Sequence, residues 1–442
     1  MKKKVSSALL ASLLLLSAPS AAKTWTLEEC IQYAMENNIT LQRQGISRQS
    51  AAESTRQSKA QLLPSLNFST SQSMNYTPWR ETGTATVADG RVESSIDKVS
   101  YNGQYTVGAN WTVWNGNRNR NQIRLNSIAE EQAEMDSVTS ARNIEEQITQ
   151  LYIQILYTKE AVNVNKATLE ASRVNENRGI QMCEVGSLSK ADLSQLTAQR
   201  AEDEYNVVQA ESQVRSYTRQ LKQLLQITGE EVFDIVTPEL TDAMALKGVP
   251  TLTTVYETAL ENRPELKSAA LGLKSAEVQS KIAKAQRMPT VSMNASVGAS
   301  TNNMNSKAWE EQMKTNLNIG AGITVSVPIL DQRSTRTARN KAELQRQEAM
   351  FNIRDQQTTL YSTIENYWIQ AANYQNQYKA AKTSTQSAKD SYDLLSEQFA
   401  VGLKNIVELQ TGKTRLLTAQ QSELQSKYMT ILNLKMLELY QR

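Results

Sequence analysis

The side chains that most often carry out chemistry in proteins are scarce in this 442-residue sequence. It has no histidine, the commonest general base and the commonest metal ligand. Its two cysteines, Cys30 and Cys183, are far apart and show neither metal-ligand nor redox spacing. The motifs of serine hydrolases, phosphate-binding loops and dinucleotide folds are also missing from the sequence. We therefore expect no catalytic activity, no metal site and no cofactor.

The first 22 residues are typical of a secretory signal peptide. Lysines at 2–4 precede an apolar run from Val5 to Leu16, and Ser20-Ala21-Ala22 provides a small-residue cleavage site. Removing those three lysines takes the basic count from 48 to 45, against 45 acidic residues, so we expect no nucleic-acid partner. Cys30 lies beyond the cleavage site and is interpreted as part of an unlipidated first helix. No later stretch approaches the roughly 20 apolar residues of a membrane-spanning helix, so any membrane part must consist of strands.

An internal repeat organises the rest of the chain. The segment TLEECIQYAMENN at 26–38 returns as TLTTVYETALENR at 251–263, and Val185-Gly186 returns as Val401-Gly402. The pattern of each copy predicts, in order, two helices, a strand, a loop, a second strand, a very long helix, a turn and a long helix. The predicted divisions are a first repeat at 23–236, a linker at 237–250 and a second repeat at 251–442.

Each repeat ends in a predicted helical hairpin, at about 118–227 and about 333–440. Between Arg118 and Met182 the sequence has no proline and one glycine, Gly179. That segment predicts a helix on the order of 95 Å long. Apolar residues recur at alternating steps of three and four, which is typical of coiled packing. From the helices alone, the simpler interpretation is a hairpin that packs on itself, as in many soluble bundles.

Four segments alternate apolar and polar side chains. Their lengths fit tilted membrane strands of about 9 to 11 residues, and aromatic residues stand near their ends. An amphipathic sheet on a soluble core is the alternative. Within a bilayer, four strands leave two open edges whose unpaired groups cost several kcal/mol each. Three copies would close twelve strands symmetrically. The predicted strands are 65–76, 101–114, 290–301 and 316–329.

The sequence resembles the TolC or outer-membrane efflux protein family over nearly the whole chain that follows the signal peptide. The resemblance rests on the two repeat starts, on KAQLLPSL and KAQRMPTV before the strands, and on EVGSLSKADL and AVGLKNIVEL at the hairpin turns. It implies a mainly α protein with a transmembrane β part. Three copies would form a twelve-stranded barrel in the outer membrane of a Gram-negative bacterium, continuous with a long periplasmic α-helical barrel.

The resemblance also implies partners and sites. The partners are two further copies of the chain, a periplasmic adaptor, an inner-membrane pump of the RND, ABC or MFS type, and outer-membrane lipid. Four residues fall at family gate positions: Asp192, Phe399, Lys404 and Glu408. Phe399 replaces a tyrosine and Lys404 an arginine, so we expect a different latch, because lysine lacks the bidentate geometry of arginine. The residues expected to contact the adaptor are Val185, Gly186, Ser187, Leu188, Val401, Gly402 and Leu403.

The expected function is that of a passive exit duct in a tripartite efflux or type I secretion system. The alternative is a periplasmic coiled-coil scaffold or adhesin without channel activity. The sequence leaves open whether drugs, metal ions or polypeptides pass through.

Overall fold

The computed structural model describes residues 24–79, 82–87, 90–95, 98–229, 233–238 and 241–442. The predicted signal peptide lies outside the described residues. Ten helices and eight strands are present in the described ranges. The helices are α1 (Leu27–Asn37), α2 (Ile39–Ala60), α3 (Arg118–Glu184), α4 (Lys190–Leu224), α5 (Thr241–Ala245), α6 (Leu252–Asn262), α7 (Pro264–Ala285), α8 (Trp309–Thr315), α9 (Ser334–Ala400) and α10 (Ile406–Tyr440). The strands are β1 (Thr24–Trp25), β2 (Ser65–Tyr76), β3 (Thr82–Val87), β4 (Gly90–Ser95), β5 (Val99–Trp114), β6 (Asp234–Ile235), β7 (Thr290–Asn302) and β8 (Asn318–Ser326).

The two long helices α3 and α9 have the same length, 67 residues each. Their return helices α4 and α10 are also equal, at 35 residues each. We call α3 with α4 hairpin one, and α9 with α10 hairpin two. None of the helices in the described part of the chain is long and apolar enough to cross a membrane.

Local sequence explains where the shorter elements begin. Thr26 and Glu29 form a reciprocal cap at the start of α1: the Glu29 amide donates to Thr26 Oγ1, and the Thr26 amide donates to Glu29 Oε2. Cys30 lies fully buried within this helix, as expected for a structural thiol. Pro264 opens α7, where its fixed φ suits the first helical turn.

The four-stranded sheet has the order β2-β5-β7-β8, and all its neighbours are antiparallel. Its register aligns apolar residues across all four strands. One such row is Phe68, Val107, Val297 and Ile319. The next residues form a polar row, Asn67, Gly108, Ser296 and Gly320. The sheet therefore has one apolar and one polar face.

The structure departs from the sequence prediction at several ends. The fourth strand ends at Ser326 and starts at Asn318, so it is shorter than the predicted 316–329. Asn316 closes α8 instead, since its amide bonds back into that helix. The segment 77–100, expected to be a loop, contains the antiparallel pair β3 and β4. The predicted linker at 237–250 contains the short helix α5.

The described residues divide into two compact units, each of which combines segments of both repeats. One comprises residues up to 43 together with 138–263 and 357–442; the other comprises 44–137 and 264–356. The first unit contains the tips of both hairpins and an apolar core around Ile148, Tyr152 and Leu221. The second contains the four-stranded sheet.

Candidate functional site

The apolar face of the sheet is open in the single chain. Leu66 and Phe68 on β2 are exposed, as are Ile319 and Ile323 on β8. These residues lie on the two outer strands, which each pair on one side only within the described residues. A large exposed apolar patch marks a surface that another molecule or a membrane covers.

The first hairpin turn, residues 185–189, joins α3 to α4. Gly186 has a φ of 77°, the left-handed conformation that glycine adopts without strain. Ser189 caps α4: the Asp192 amide donates to its hydroxyl at 3.1 Å, and the hydroxyl donates to Asp192 Oδ2 at 2.7 Å. Asp192 therefore belongs to the helix cap of the first turn.

The second hairpin turn, residues 401–405, joins α9 to α10 in the same way. Gly402 has a φ of 75°. Asn405 and Glu408 form a reciprocal cap, in which the Glu408 amide donates to Asn405 Oδ1 at 2.9 Å. Lys404 Nζ donates to Glu408 Oε1 at 2.5 Å. This hydrogen bond, followed by the Asn405 amide, lowers the pKa of Glu408 below its usual value.

The expected gate residues are thus divided between two environments. Lys404 pairs with Glu408 of the same turn, and within the described part of one chain no ion pair joins it to Asp192. Phe399, which is also among the expected gate residues, lies in the core with 1% of its surface exposed. It belongs to the tip cluster, which consists of Leu196, Tyr392, Phe399, Ile406 and Leu409. An aromatic ring without a hydroxyl needs no polar partner there, which suits it to this apolar contact.

The expected adaptor-contacting residues lie at the surface of the turns. Val185, Val401 and Leu403 are 78%, 70% and 75% exposed, and Ser187 and both turn glycines are exposed as well. Leu188 is the exception, because it packs against the tip cluster. The turns therefore present short branched apolar side chains to the solvent.

A buried polar group near the tips was not found by sequence reasoning. Lys413 of α10 forms an ion pair with Asp203 of α4, and both side chains are at most 8% exposed. Ser172 of α3 donates to Asp203 Oδ2 and accepts from Lys413 Nζ, each at 2.5 Å. We call Ser172, Asp203 and Lys413 the buried triad. The seam pattern of α4 contains a hint, since Asp203 occupies a position where the coiled-coil rhythm expects an apolar residue.

The energetic consequences of the two kinds of ion pair differ. An exposed pair such as Lys404 with Glu408 is screened by solvent and contributes little to stability. Removing one partner of a buried pair costs about 3–5 kcal/mol, because the other charge is left uncompensated. The buried triad is therefore the more costly polar contact to break.

A groove of about 850 Å³ runs beside the second turn along α9 and α10. It is lined mainly by small residues, including Ala388, Ser391 and Thr418, with Glu408 and Arg415 at its charged positions. Thr411 also lines it.

Comparison with known proteins gives a consistent picture. A protein from Aggregatibacter actinomycetemcomitans described as toxin and drug export protein A is 21% identical over 92% of this chain and 83% of its own length. Among solved structures, CusC matches 94% of this chain and 91% of its own with a TM-score of 0.79 at 14% identity. The CmeC outer membrane channel of Campylobacter jejuni matches 100% and 94% with a TM-score of 0.75 at 17% identity. VceC of Vibrio cholerae, an outer membrane protein, matches 93% and 95% with a TM-score of 0.74 at 17% identity.

These structures show a shared fold. The family identity rests on a sequence model, described as outer membrane efflux protein, that matches residues 30–229 and 255–439. The two matched stretches are the two repeats, and together they cover most of the chain. The chain belongs to the outer membrane efflux protein family.

Proposed function

We propose that this chain is the protomer of a homotrimeric channel through which substrates leave the cell across the outer membrane. The observation that carries the proposal is the four-stranded sheet with an exposed apolar face, a polar face and two open edges. In a bilayer the unpaired groups of β2 and β8 need partners, and three copies supply them by closing a twelve-stranded barrel. The apolar rows then contact outer-membrane lipid, and the polar rows line the water-filled passage.

The helical hairpins extend the passage on the periplasmic side, as a barrel of helices. The channel carries no cofactor, and transport through it is passive: an inner-membrane pump delivers the substrate. The structures of similar fold support this arrangement, since CmeC is described as an outer membrane channel. The relative described as a toxin and drug export protein supports either a polypeptide or a small-molecule cargo.

The two turns are the proposed contacts of a periplasmic adaptor. Their exposed apolar residues Val185, Val401 and Leu403 protrude where a partner can cover them. Covering such side chains contributes roughly 25 cal/mol per Å² of apolar surface removed from water. The adaptor would therefore favour whichever arrangement of the turns exposes these residues to it.

The proposed gate consists of Asp192, Lys404 and Glu408, with Phe399 supporting it from the tip cluster. Within one chain Asp192 and Lys404 have separate partners, so a bond between them would join neighbouring copies of the trimer. In a trimer, three copies of Asp192 and three of Glu408 would surround the narrow mouth of the channel. Their negative charges would also attract cations.

The experiment is conductance through planar bilayers, with the oligomeric state measured in detergent. We expect a trimer that forms channels of low resting conductance. Asp192→Ala combined with Lys404→Ala should raise that resting conductance, because the contact between copies is lost. Lys190→Ala, which removes an exposed lysine from the same turn of α4, is the matched control and should leave it unchanged.

Two outcomes would contradict the proposal. A monomer that stays soluble without detergent and passes no current would instead support a periplasmic scaffold or adhesin. A trimer whose resting conductance is the same in the double variant would keep the channel but remove Asp192 and Lys404 from the gate. The pump that co-purifies with the trimer would identify the cargo class.

A further inference from the structure

The buried triad joins the two hairpins of a single chain. Lys413 comes from hairpin two, whereas Ser172 and Asp203 come from hairpin one. Lys413 lies eight residues beyond Asn405, the cap of α10, which is about 12 Å along the helix. The triad therefore lies farther from the second turn than Phe399, Ile406 and Leu409 of the tip cluster.

A second buried contact joins the same pair of hairpins. Asn175 Nδ2 of α3 donates to the hydroxyl of Tyr392 on α9 at 3.2 Å, and both residues are buried. Asn175 lies one helical turn from Ser172 on the same helix. Both helices of hairpin two are thus bonded to hairpin one at the same distance from the turns, and the polar side chains that make these bonds are buried.

The contacts nearer the turns are of a different kind. Gln195 donates to Gln410 at 3.1 Å in an exposed contact between the hairpins. The other members of the tip cluster, Leu196, Phe399, Ile406 and Leu409, make only apolar side-chain contacts. Water can replace the partners of an exposed amide, and an apolar contact is non-directional, so a different apolar side chain can take its place. Neither type of contact fixes one relative position of the hairpins.

A buried charge does fix such a position. If hairpin two shifted by one helical turn, Lys413 would leave Asp203 and both charges would remain buried without a partner. Buried polar residues set the register and partner choice in coiled coils for this reason. Gln199, which donates to the other carboxylate oxygen of Asp203 at 3.4 Å, further restrains that side chain.

We propose that the buried triad is a fixed point of registration between the two hairpins of each protomer. Rearrangements of the turns take place on the turn side of this point, through the exposed contacts and through Phe399, Ile406 and Leu409 of the tip cluster, while the triad stays intact. Lys413, Asp203 and Ser172 are thus positioning residues for the gate. This inference rests on the proposed gating function, but its first test does not require conduction.

The first test measures distances between spin labels at Val174→Cys on α3 and Thr414→Cys on α10, two exposed positions beside the triad. The background carries Cys183→Ser, and buried Cys30 should take up no label. A large excess of unlabelled chain during assembly isolates distances within one chain. We expect one narrow distance in the otherwise native protein. Lys413→Met should broaden it and lower the melting temperature of the helices by several degrees.

Further variants separate register from stability. Asp203→Leu with Lys413→Met replaces both charges by apolar groups, which should restore the melting temperature but leave the distance broad. The exchange Asp203→Lys with Lys413→Asp should recover part of the narrow distribution. Ser172→Ala keeps both charges and gives a milder broadening, so the test remains decisive if Lys413→Met fails to fold. A native distance distribution in the apolar double variant would overturn the proposal.

The matched control is the exposed pair of Lys166 and Glu211, which joins α3 and α4 at 2.8 Å. Lys166→Met removes the same kind of charge without leaving a buried partner. It should change neither the distance nor the melting temperature measurably. An effect as large as that of Lys413→Met would mean that the loss of an exposed lysine changes the distance and the melting temperature as much as the loss of a buried one. That result would contradict the role given to burial.

The second test asks where movement occurs. Labels at Val185→Cys and Val401→Cys report on the turns, and the Asp192→Ala, Lys404→Ala background opens the proposed gate. We expect the distance between the turns to change there while the distance beside the triad does not. An equal change in the distance between the turns and in the distance beside the triad would contradict the proposal that the triad is a fixed point. Absence of any current from the native protein would instead count against the channel and leave both distance measurements valid.

Discussion

Each hairpin has a close contact between a glycine and a leucine on its two helices, and the glycine is on the long helix in hairpin one but on the return helix in hairpin two. In hairpin one Gly179 of α3 lies against Leu196 of α4, and in hairpin two Leu395 of α9 lies against Gly412 of α10. Each glycine stands 216 residues from the leucine that replaces it in the other copy. A Cβ on Gly179 would approach Leu196 Cδ1 to 2.5 Å, and one on Gly412 would approach Leu395 Cδ1 to 2.6 Å. The fold requires one small and one large residue at this level, in either order.

The same offset shows where the copies have diverged. Asp192 and Glu408 are equivalent, and both cap the return helix. Lys404 has Leu188 as its counterpart, so only the second turn pairs its acidic cap with a lysine. Phe399 has Cys183 as its counterpart, so the second hairpin supplies the large ring of the tip cluster. Structure is shared between the hairpins, whereas the expected gate chemistry is concentrated in the second.

The largest difference is expected between Phe399→Ala and Cys183→Ala. Phe399 is fully buried in the tip cluster, so its truncation should cost about 3–5 kcal/mol of unfolding free energy. Cys183 is half-buried and small, so its truncation should cost under about 1 kcal/mol. Denaturant unfolding followed by helical circular dichroism measures both. Similar losses would show that the tip cluster does not depend on its large ring.

A smaller difference in unfolding free energy is expected between Gly179→Ala and Gly412→Ala. Leu196 is buried, with Leu188 and Leu193 close to the same site, so its side chain has little room to move away from the Cβ of Gly179→Ala. We expect a net loss of about 1–2 kcal/mol, since the overpacking cost exceeds the gain in helix propensity. Leu395 is half-buried at the edge of the groove and can rotate away, so Gly412→Ala should change stability by under about 0.5 kcal/mol.

Gly272→Ala in α7 is the control for that comparison, because nothing lies within 4 Å of the added Cβ. It should stabilise by up to about 1 kcal/mol through helix propensity alone. Equal losses from Gly179→Ala and Gly412→Ala would mean that the freedom of the opposing leucine does not matter.

Features that depend on neighbouring residues in the sequence could be predicted, whereas contacts between distant segments could not. The register of the sheet follows from period-two alternation, so the face shared by Phe68 and Val107 was predictable. Turn glycines are local signals too, and Gly186 and Gly402 both have the positive φ expected of a helix end. The capping role of Asp192 and Glu408 was also readable, as a serine or asparagine three residues before an acid.

The buried triad was beyond such reasoning. Lys413 and Asp203 are 210 residues apart, and their pairing depends on which faces of two separate hairpins meet. In the sequence Lys413 is one of many charges on a long polar helix, and the seam position of Asp203 does not identify its partner. The burial of Phe399 was not predicted for the same reason, because its match to a family tyrosine position does not show which residues surround it.

The smallest expected effect concerns pH and again separates the two turns. The pKa of Glu408 is lowered, first by the hydrogen bond from Lys404, so the folded state favours the ionised carboxylate. That contribution to stability is present above the pKa of the unfolded chain and is lost as the pH falls through the folded pKa. Lys404→Met should therefore lower the melting temperature slightly at pH 7, and the difference from the native protein should vanish in acid, below the usual range for glutamate.

Lys190→Met removes an exposed lysine from the first turn of α4, where the acidic cap is bonded to the hydroxyl of Ser189 and not to a lysine. Its melting temperature should follow that of the native protein at every pH. A Lys404→Met deficit that persisted in acid would show that Lys404 acts through its aliphatic stem rather than through its charge. The second turn would then be distinguished from the first by packing alone, and an electrostatic gate would need another cation.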